Sequence, residues 1–357
     1  VQSTAYELLA PLRCQRLASC LFLSMRLAWM GMIVHITTTL VVAPLTGWPV
    51  SPLAAALVGA TLLYCLGGFR AVVWTDVLQA LILFTGAIIT IGLIAHQVPA
   101  NVIPMEWPAL SLSLDPRVRV TLPWAVLSAA CLGTSVKAGD QMNAQRFLSV
   151  PSVSAARRVL FIGFGCDVAL TLLLGIVGVC LLAYYGTAAN ADGIFLSYIS
   201  SELPSGARGL VVAALLAAAM SSLSSGINSC VSTVAVDWLR PNSGERFAVE
   251  TRRVGTTTAT VSLALIVFIL SLLIGCVQGN LIELCYKIVN LLATPLGGLV
   301  LVALFIPRAG WPAAWLGCGA SVAVVVWINY FSPFSFLVAS PLALATQLSI
   351  AISGSRR

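Results

Sequence analysis

Six polar side chains crowd into nine residues of an otherwise apolar stretch: Ser221, Ser222, Ser224, Ser225, Asn228 and Ser229. Ser221, Ser224, Ser225 and Asn228 repeat at i, i+3, i+4 and i+7, which is one face of a helix. Ser222, Ser225 and Ser229 mark an overlapping face one step round. Hydroxyl and carbonyl oxygens are the donors a hard cation such as sodium takes, by the logic that suits calcium to oxygen. Small residues repeated on a helix face also let two backbones approach closely, so the same serines fit a packing seam. The serines alone leave both readings open.

These serines need a helix in a particular setting. The stretch 207–241 reads ARGLVVAALLAAAMSSLSSGINSCVSTVAVDWLRP, and from Leu210 to Met220 it carries no polar side chain. A run of that kind suits lipid, whereas hydroxyls in hydrocarbon need protein, water or an ion beside them. The whole chain shares this character. Of its 357 residues, 59% are hydrophobic and 9% charged, and mean hydropathy is +0.99. Such values describe a polytopic, all-α membrane protein embedded in a lipid bilayer. Ten apolar segments, most near or above the ~20 residues a spanning helix needs, fall at 17–44, 52–67, 71–98, 121–148, 157–185, 207–238, 254–277, 281–306, 311–331 and 334–353. Several contain Pro44, Pro123, Pro295 with Gly297 and Gly298, or Pro341. In a membrane such breaks are tolerated where protein or a cavity satisfies the freed backbone.

Alternating the loops places Arg13, Arg16, Arg70, Arg146, Arg157, Arg158, Arg240, Arg246, Arg252, Arg253 and Arg308, with the C-terminal arginines, on one side. Only Arg117, Arg119 and Arg208 fall on the other. The positive-inside rule then puts both termini in the cytoplasm. The net charge of +7 is spread over these short loops and implies no nucleic acid partner. Ten cysteines, scattered through apolar segments without CxxC spacing, read as small buried hydrophobes. Two histidines and no HExxH exclude a zinc enzyme, and without GxxxxGK[ST] no ATP is spent by this chain. No cofactor is expected. The outer loops 99–120 and 186–206 each have room for a short gating helix.

The remaining candidates are charged or amide side chains inside the spans. Asp76 stands near the start of the third span. Asp140, Gln141 and Gln145 close the fourth, where they either cap the last carbonyls or line an inner vestibule. Lys137 and Asp167 lie on consecutive antiparallel helices at similar distances from the loop near Ser152, hence at similar depth. An unpaired charge there is expensive, so the two are expected to meet. Contact of Lys137 with an anionic substrate is the other reading. Glu283 and Lys287 form an i, i+4 pair. Asp76, Asp140 and Asp167 belong to no protease motif, which leaves an intramembrane enzyme without support.

Four stretches carry a family resemblance: STAYELLAPLR, GGFRAVVWTDVLQ, GDQMNAQRFLS and LPSGARGLVVAALLAAAMSSLSSGINS, with ATPLGGLVLVALFIPRAGWPAAWLG later in the chain. In order and spacing the sequence resembles the sodium/solute symporter family. The resemblance implies a LeuT-type core of two inverted five-helix repeats with substrate and ions near the midplane. Residues 17–98 would be the remainder of the first repeat, 121–306 the second, and 311–353 two additional helices, in a single domain 1–357. STAYELLAPLR normally follows the second core helix, so an N-terminally incomplete core of about ten transmembrane helices is expected.

The resemblance also assigns residues. It implies a sodium site built from the Ala218 carbonyl and the hydroxyls of Ser221 and Ser222, and in some members a second sodium held by Asp76, Ser224 and Ser225. Replacement of the sugar-binding positions around Gly133–Val136 disfavours a sugar, and Lys137 favours a carboxylate or other anion, with Asp140, Gln141 and Asp167 near the solute or the inner vestibule. The expected activity is sodium-coupled secondary active symport of a small polar organic solute or anion across a bacterial cytoplasmic membrane. Competing readings are a truncated solute-binding sensor or remnant that does not transport, and proton coupling with Asp76 as carrier.

Overall fold

Each of the ten apolar segments is mainly helical over its described residues. The computed structural model describes residue 9 and residues 13–66, 68–97, 111–186, 193–238, 249–276 and 281–355. Most of STAYELLAPLR lies outside them. Helix α1 (Gln15–Ile36) runs on through a π-helical stretch, Thr37–Val42, into α2 (Ala43–Thr46). Helices α3 (Val50–Leu66), α4 (Gly68–Gln97), α5 (Leu122–Gly139), α6 (Gln141–Leu148) and α7 (Val153–Tyr185) follow. Then come α8 (Ile194–Ser201), α9 (Ser205–Thr233) with a second π-helical stretch at Val234–Trp238, α10 (Val249–Ile274), α11 (Leu281–Phe305), α12 (Trp311–Phe331) and α13 (Ala339–Ser355). Among the described residues, eight helices are long and apolar enough to cross a membrane. The other two segments are α3 and α5, of 17 and 18 residues, about 25–27 Å at the helical rise.

The centre is built from α1, α9 and α11. Half of the most apolar window of α1 and of α9 is buried by protein, against 11% for α7, which runs along the periphery. Helix α9 packs along α4, α1 lies against α10 and α11, α5 against α11, and α12 against α13. Small residues set the closest of these approaches, as expected where lipid offers no hydrophobic drive for helix pairing. A Cβ on Gly86 would stand 3.0 Å from the Cβ of Ala214, and one on Gly139 would stand 2.9 Å from Leu296 Cγ. A side chain at Gly297 would collide with the backbone of Ser135. Glycine at these positions lets α4 reach α9 and α5 reach α11.

The prolines interrupt less than the sequence suggests. Pro123 occupies a first-turn position of α5, where no amide partner is lost, and Pro44 follows directly on the π-helical stretch without ending the helix. Helix α11 continues through Pro295, and the Pro295 carbonyl accepts a 3.0 Å hydrogen bond from Gln347 Nε2 on α13. The real break comes where continuity was expected, inside 121–148. Asp140 is extended (φ −84°, ψ 113°) and separates α5 from α6. Its carboxylate accepts the Met142 amide at 2.9 Å and so starts a new helix. It caps amides of the following helix, where capping of the preceding carbonyls was one of the two expectations. In the loop 186–206 the short helix is α8; the described residues 111–120 of the other loop form turns.

Candidate functional site

Asp76, two turns into α4, faces the serine stripe of α9. Ser221 Oγ donates to Asp76 Oδ1 at 2.7 Å, and Ser225 Oγ, one turn on, donates to Asp76 Oδ2 at 2.8 Å. The i, i+4 spacing that marked these serines as one face puts a hydroxyl on each carboxylate oxygen. The Asp76 side chain keeps 19% of its surface exposed, and Arg146 Nη2, at the far end of α6, lies 3.5 Å from Oδ2. Ser224 is buried and donates to the backbone carbonyl of Ser221 at 3.2 Å. Ser222 is half-buried on the adjoining face. Ala218 lies one turn before Ser221 and Ser222, its carbonyl directed along the helix towards them.

One carboxylate and two hydroxyls meet here, and oxygen donors of this kind suit a hard cation. Among the described residues no group of three or more His, Cys, Asp or Glu side chains comes together to hold a metal ion. Of the residues expected in two separate cation sets, Asp76, Ser221 and Ser225 are directly joined. Ser221, expected with Ala218 and Ser222, donates its hydroxyl to Asp76.

Lys137 and Asp167 meet as anticipated, Nζ to Oδ2 at 2.7 Å, with half or more of each side chain exposed. Neither is a hydrogen-bond or ion-pair partner of Asp76, whose partners among the described residues are Ser221, Ser225 and Arg146. The i, i+4 pair Glu283–Lys287 closes at 2.9 Å, and Arg119 joins Glu283 at 3.0 Å.

Asp140 has a partner the sequence reading passed over. Arg26 Nη2 reaches its Oδ2 at 2.5 Å, with 10% and 3% of the two side chains exposed. Gln141 and Gln145 beside it are buried as well. An arginine within an apolar span demands a buried acid at its depth, and that rule was the available signal for matching Arg26 with Asp140. A second buried acid, Asp237, sits in the π-helical end of α9. It accepts from Gln15 Nε2 at 3.0 Å and from Ser19 Oγ, both on α1. At the opposite end of the molecule, Tyr198 on α8 donates to Gln97 Oε1 at 2.9 Å. Burial, then the neighbouring Tyr184 and Glu202, push its phenol up to about 12.

A sequence profile of the sodium:solute symporter family matches residues 15–319. The chain is 26% identical to a sodium/sialic acid symporter of Aliivibrio fischeri, over 76% of this chain and 57% of that protein. It is 25% identical to one of Proteus mirabilis, over 99% and 74%, and 24% identical to the human sodium/iodide cotransporter, over 73% and 43%. It thus spans little more than half the length of the first of these relatives. The solved structure of a Na+-coupled sialic acid symporter in a substrate-bound outward-open state superposes with a TM-score of 0.85 at 22% identity, over 99% of this chain and 77% of that one. The likeness establishes the expected LeuT-type fold.

Proposed function

The chain belongs to the sodium:solute symporter family, and from the geometry around Asp76 we propose sodium-coupled secondary active symport of a small polar organic solute or anion. The observation that carries this reading is the Asp76 carboxylate held between Ser221 and Ser225. Sodium is the coupling ion, with no other cofactor. One ion is held by the Ala218 carbonyl with Ser221 and Ser222, a second by Asp76 with Ser224 and Ser225. Residues 17–98 belong to the first of two inverted repeats and 121–306 to the second, with 311–353 as two additional helices. Both termini face the cytoplasm of a bacterial cell.

An ion between Asp76 on α4 and the serines on α9 ties two helices together. If it binds only when those helices are close, sodium favours that state, and any solute that prefers the same state gains affinity from sodium and returns the favour. Of the candidates for the solute or inner vestibule, Lys137 and Asp167 are half or more exposed and are assigned to the solute route, whereas Asp140 and Gln141 are buried and would only back its wall. Lys137 is balanced by Asp167 at 2.7 Å, so an anionic solute reaching it would have to compete with that carboxylate. This supports a small anion or zwitterion no more than a neutral polar solute.

The test is uptake of radiolabelled monocarboxylates, amino acids, sialic acid, sugars and iodide into proteoliposomes, with and without an inward sodium gradient. Sodium-driven uptake lost in Ser221→Ala and in Ser222→Ala, with a Hill coefficient for sodium that falls from near two towards one in Asp76→Ala, is the expected result. Uptake that follows pH and ignores sodium would replace sodium with the proton. Solute binding without uptake would leave a sensor.

A further inference from the structure

Asp76 has two kinds of neighbour, and only the serines belong to the ion set. The other is Arg146, the last polar side chain of α6, whose guanidinium stands 3.5 Å from Asp76 Oδ2. A guanidinium is a fixed monovalent cation in protein. It lies beside the oxygen that also receives the Ser225 hydroxyl. Both a sodium ion and this guanidinium would neutralise the same single carboxylate, and the two positive charges repel at that separation.

We propose that Arg146 is a built-in competitor of sodium at Asp76. It balances the carboxylate when no ion is bound and is displaced when sodium arrives. The proposal rests on the second-ion reading of Asp76, Ser224 and Ser225.

Two features fit a displaceable cation rather than a permanent partner. The contact is long, and 44% of the Arg146 side chain is exposed, so water can receive the guanidinium once it leaves. The contrast is Arg26, 10% exposed and 2.5 Å from its acid, which has no such alternative. Arg146 also rides on α6, which packs on α7 and α9. Arrival of sodium would therefore release the end of α6 from α4, and departure would restore the link. Competition lowers apparent sodium affinity by the fraction of time the carboxylate is occupied by its own arginine. For an exposed pair that fraction is modest, and its removal should improve affinity about two- to fivefold.

The experiment measures the sodium concentration for half-maximal response, at constant ionic strength with choline replacement, by sodium-dependent protein fluorescence and by uptake, in the full chain in lipid. Arg146→Gln and Arg146→Met, which keeps much of the stem, should each lower that concentration about two- to fivefold. Arg146→Lys should leave it near its original value, and solute affinity at saturating sodium should not move. An unchanged or raised half-saturation in both neutral variants overturns the competitor role. If Arg146→Gln does not fold, Arg146→Met carries the same expectation, and a fold that survives only with lysine assigns Arg146 a structural role instead. Asp76→Asn separates the two levels. If it leaves the sodium response and its Hill coefficient untouched, the second-ion reading fails and the competitor with it; if it lowers the Hill coefficient towards one while the arginine variants change nothing, only the competitor fails.

Discussion

Breaking the Arg26–Asp140 pair one charge at a time should cost far more than removing both. Arg26 Nη2 lies 2.5 Å from Asp140 Oδ2, with 10% and 3% of the side chains exposed, so neither charge has water to fall back on. Loss of one partner leaves the other buried and uncompensated, which costs ~3–5 kcal/mol. Asp140 does a second job, accepting the Met142 amide at the start of α6, and loss of such a cap costs about 1 kcal/mol. Asparagine caps nearly as well as aspartate. Asp140→Asn therefore isolates the charge, and Asp140→Ala should be worse by roughly that cap term. Arg26→Met should cost ~3–5 kcal/mol alone. The double variant Arg26→Met with Asp140→Asn has no buried charge left and should be destabilised far less than either single variant, since a buried pair is worth little against an uncharged replacement. The assay is reversible unfolding of the purified protein in mixed dodecylmaltoside–SDS micelles, followed by tryptophan fluorescence. A cycle additive within about 0.5 kcal/mol would refute the reasoning. So would an Asp140→Asn variant as stable as the parent.

Two further perturbations test the surroundings. The Lys137–Asp167 pair is half or more exposed on both sides; if that exposure is to water or a polar route, Lys137→Gln and Asp167→Asn should each cost no more than ~1 kcal/mol in the same unfolding assay, and losses of several kcal/mol would place the pair against lipid. Tyr198 is pushed up to about 12, above the ordinary phenol value of 10.0, so its folded form holds the proton more tightly than the unfolded chain. Its contribution is intact below pH ~10 and lost as pH rises towards ~12, and Tyr198→Phe should remove a late-titrating phenol from a tyrosinate absorbance titration.

The helices were readable because lipid imposes one rule on long stretches: apolar side chains, backbone satisfied internally. That rule located all ten segments. It says little about where a helix breaks, since the same local sequence is compatible with continuity or with a cap. The break at Asp140 sits beside the close approach of Gly139 to Leu296 and Gly297, a contact more than a hundred residues away in sequence. The two π-helical stretches, Thr37–Val42 and Val234–Trp238, were also invisible, because their one extra residue per turn has no compositional signature. At the site, helical spacing was enough to put Ser221 and Ser225 on one face, and the family resemblance pointed Ser225 at Asp76 while assigning Ser221 to the other ion; the Ser221–Asp76 hydrogen bond was not foreseen. Arg146 was counted only as a loop charge. Its approach to Asp76 depends on the direction of α6, and that direction is fixed by the unforeseen break.

Helix α6 links the two acids that matter most. Its first residue follows Asp140, which Arg26 ties to α1, and its far end carries Arg146, which reaches Asp76 on α4. Six residues separate Asp140 from Arg146, about 9 Å of helix at 1.5 Å per residue. A rod that short does not bend appreciably, so the buried end acts as the fixed point and the exposed end as the free one. The difference in burial decides which is which: Asp140 cannot be solvated if its pair opens, whereas Arg146 can. Sodium at Asp76 would then act on the loose end of an element whose other end is held. The charge it replaces is released into water, while Asp140 keeps the pivot in place.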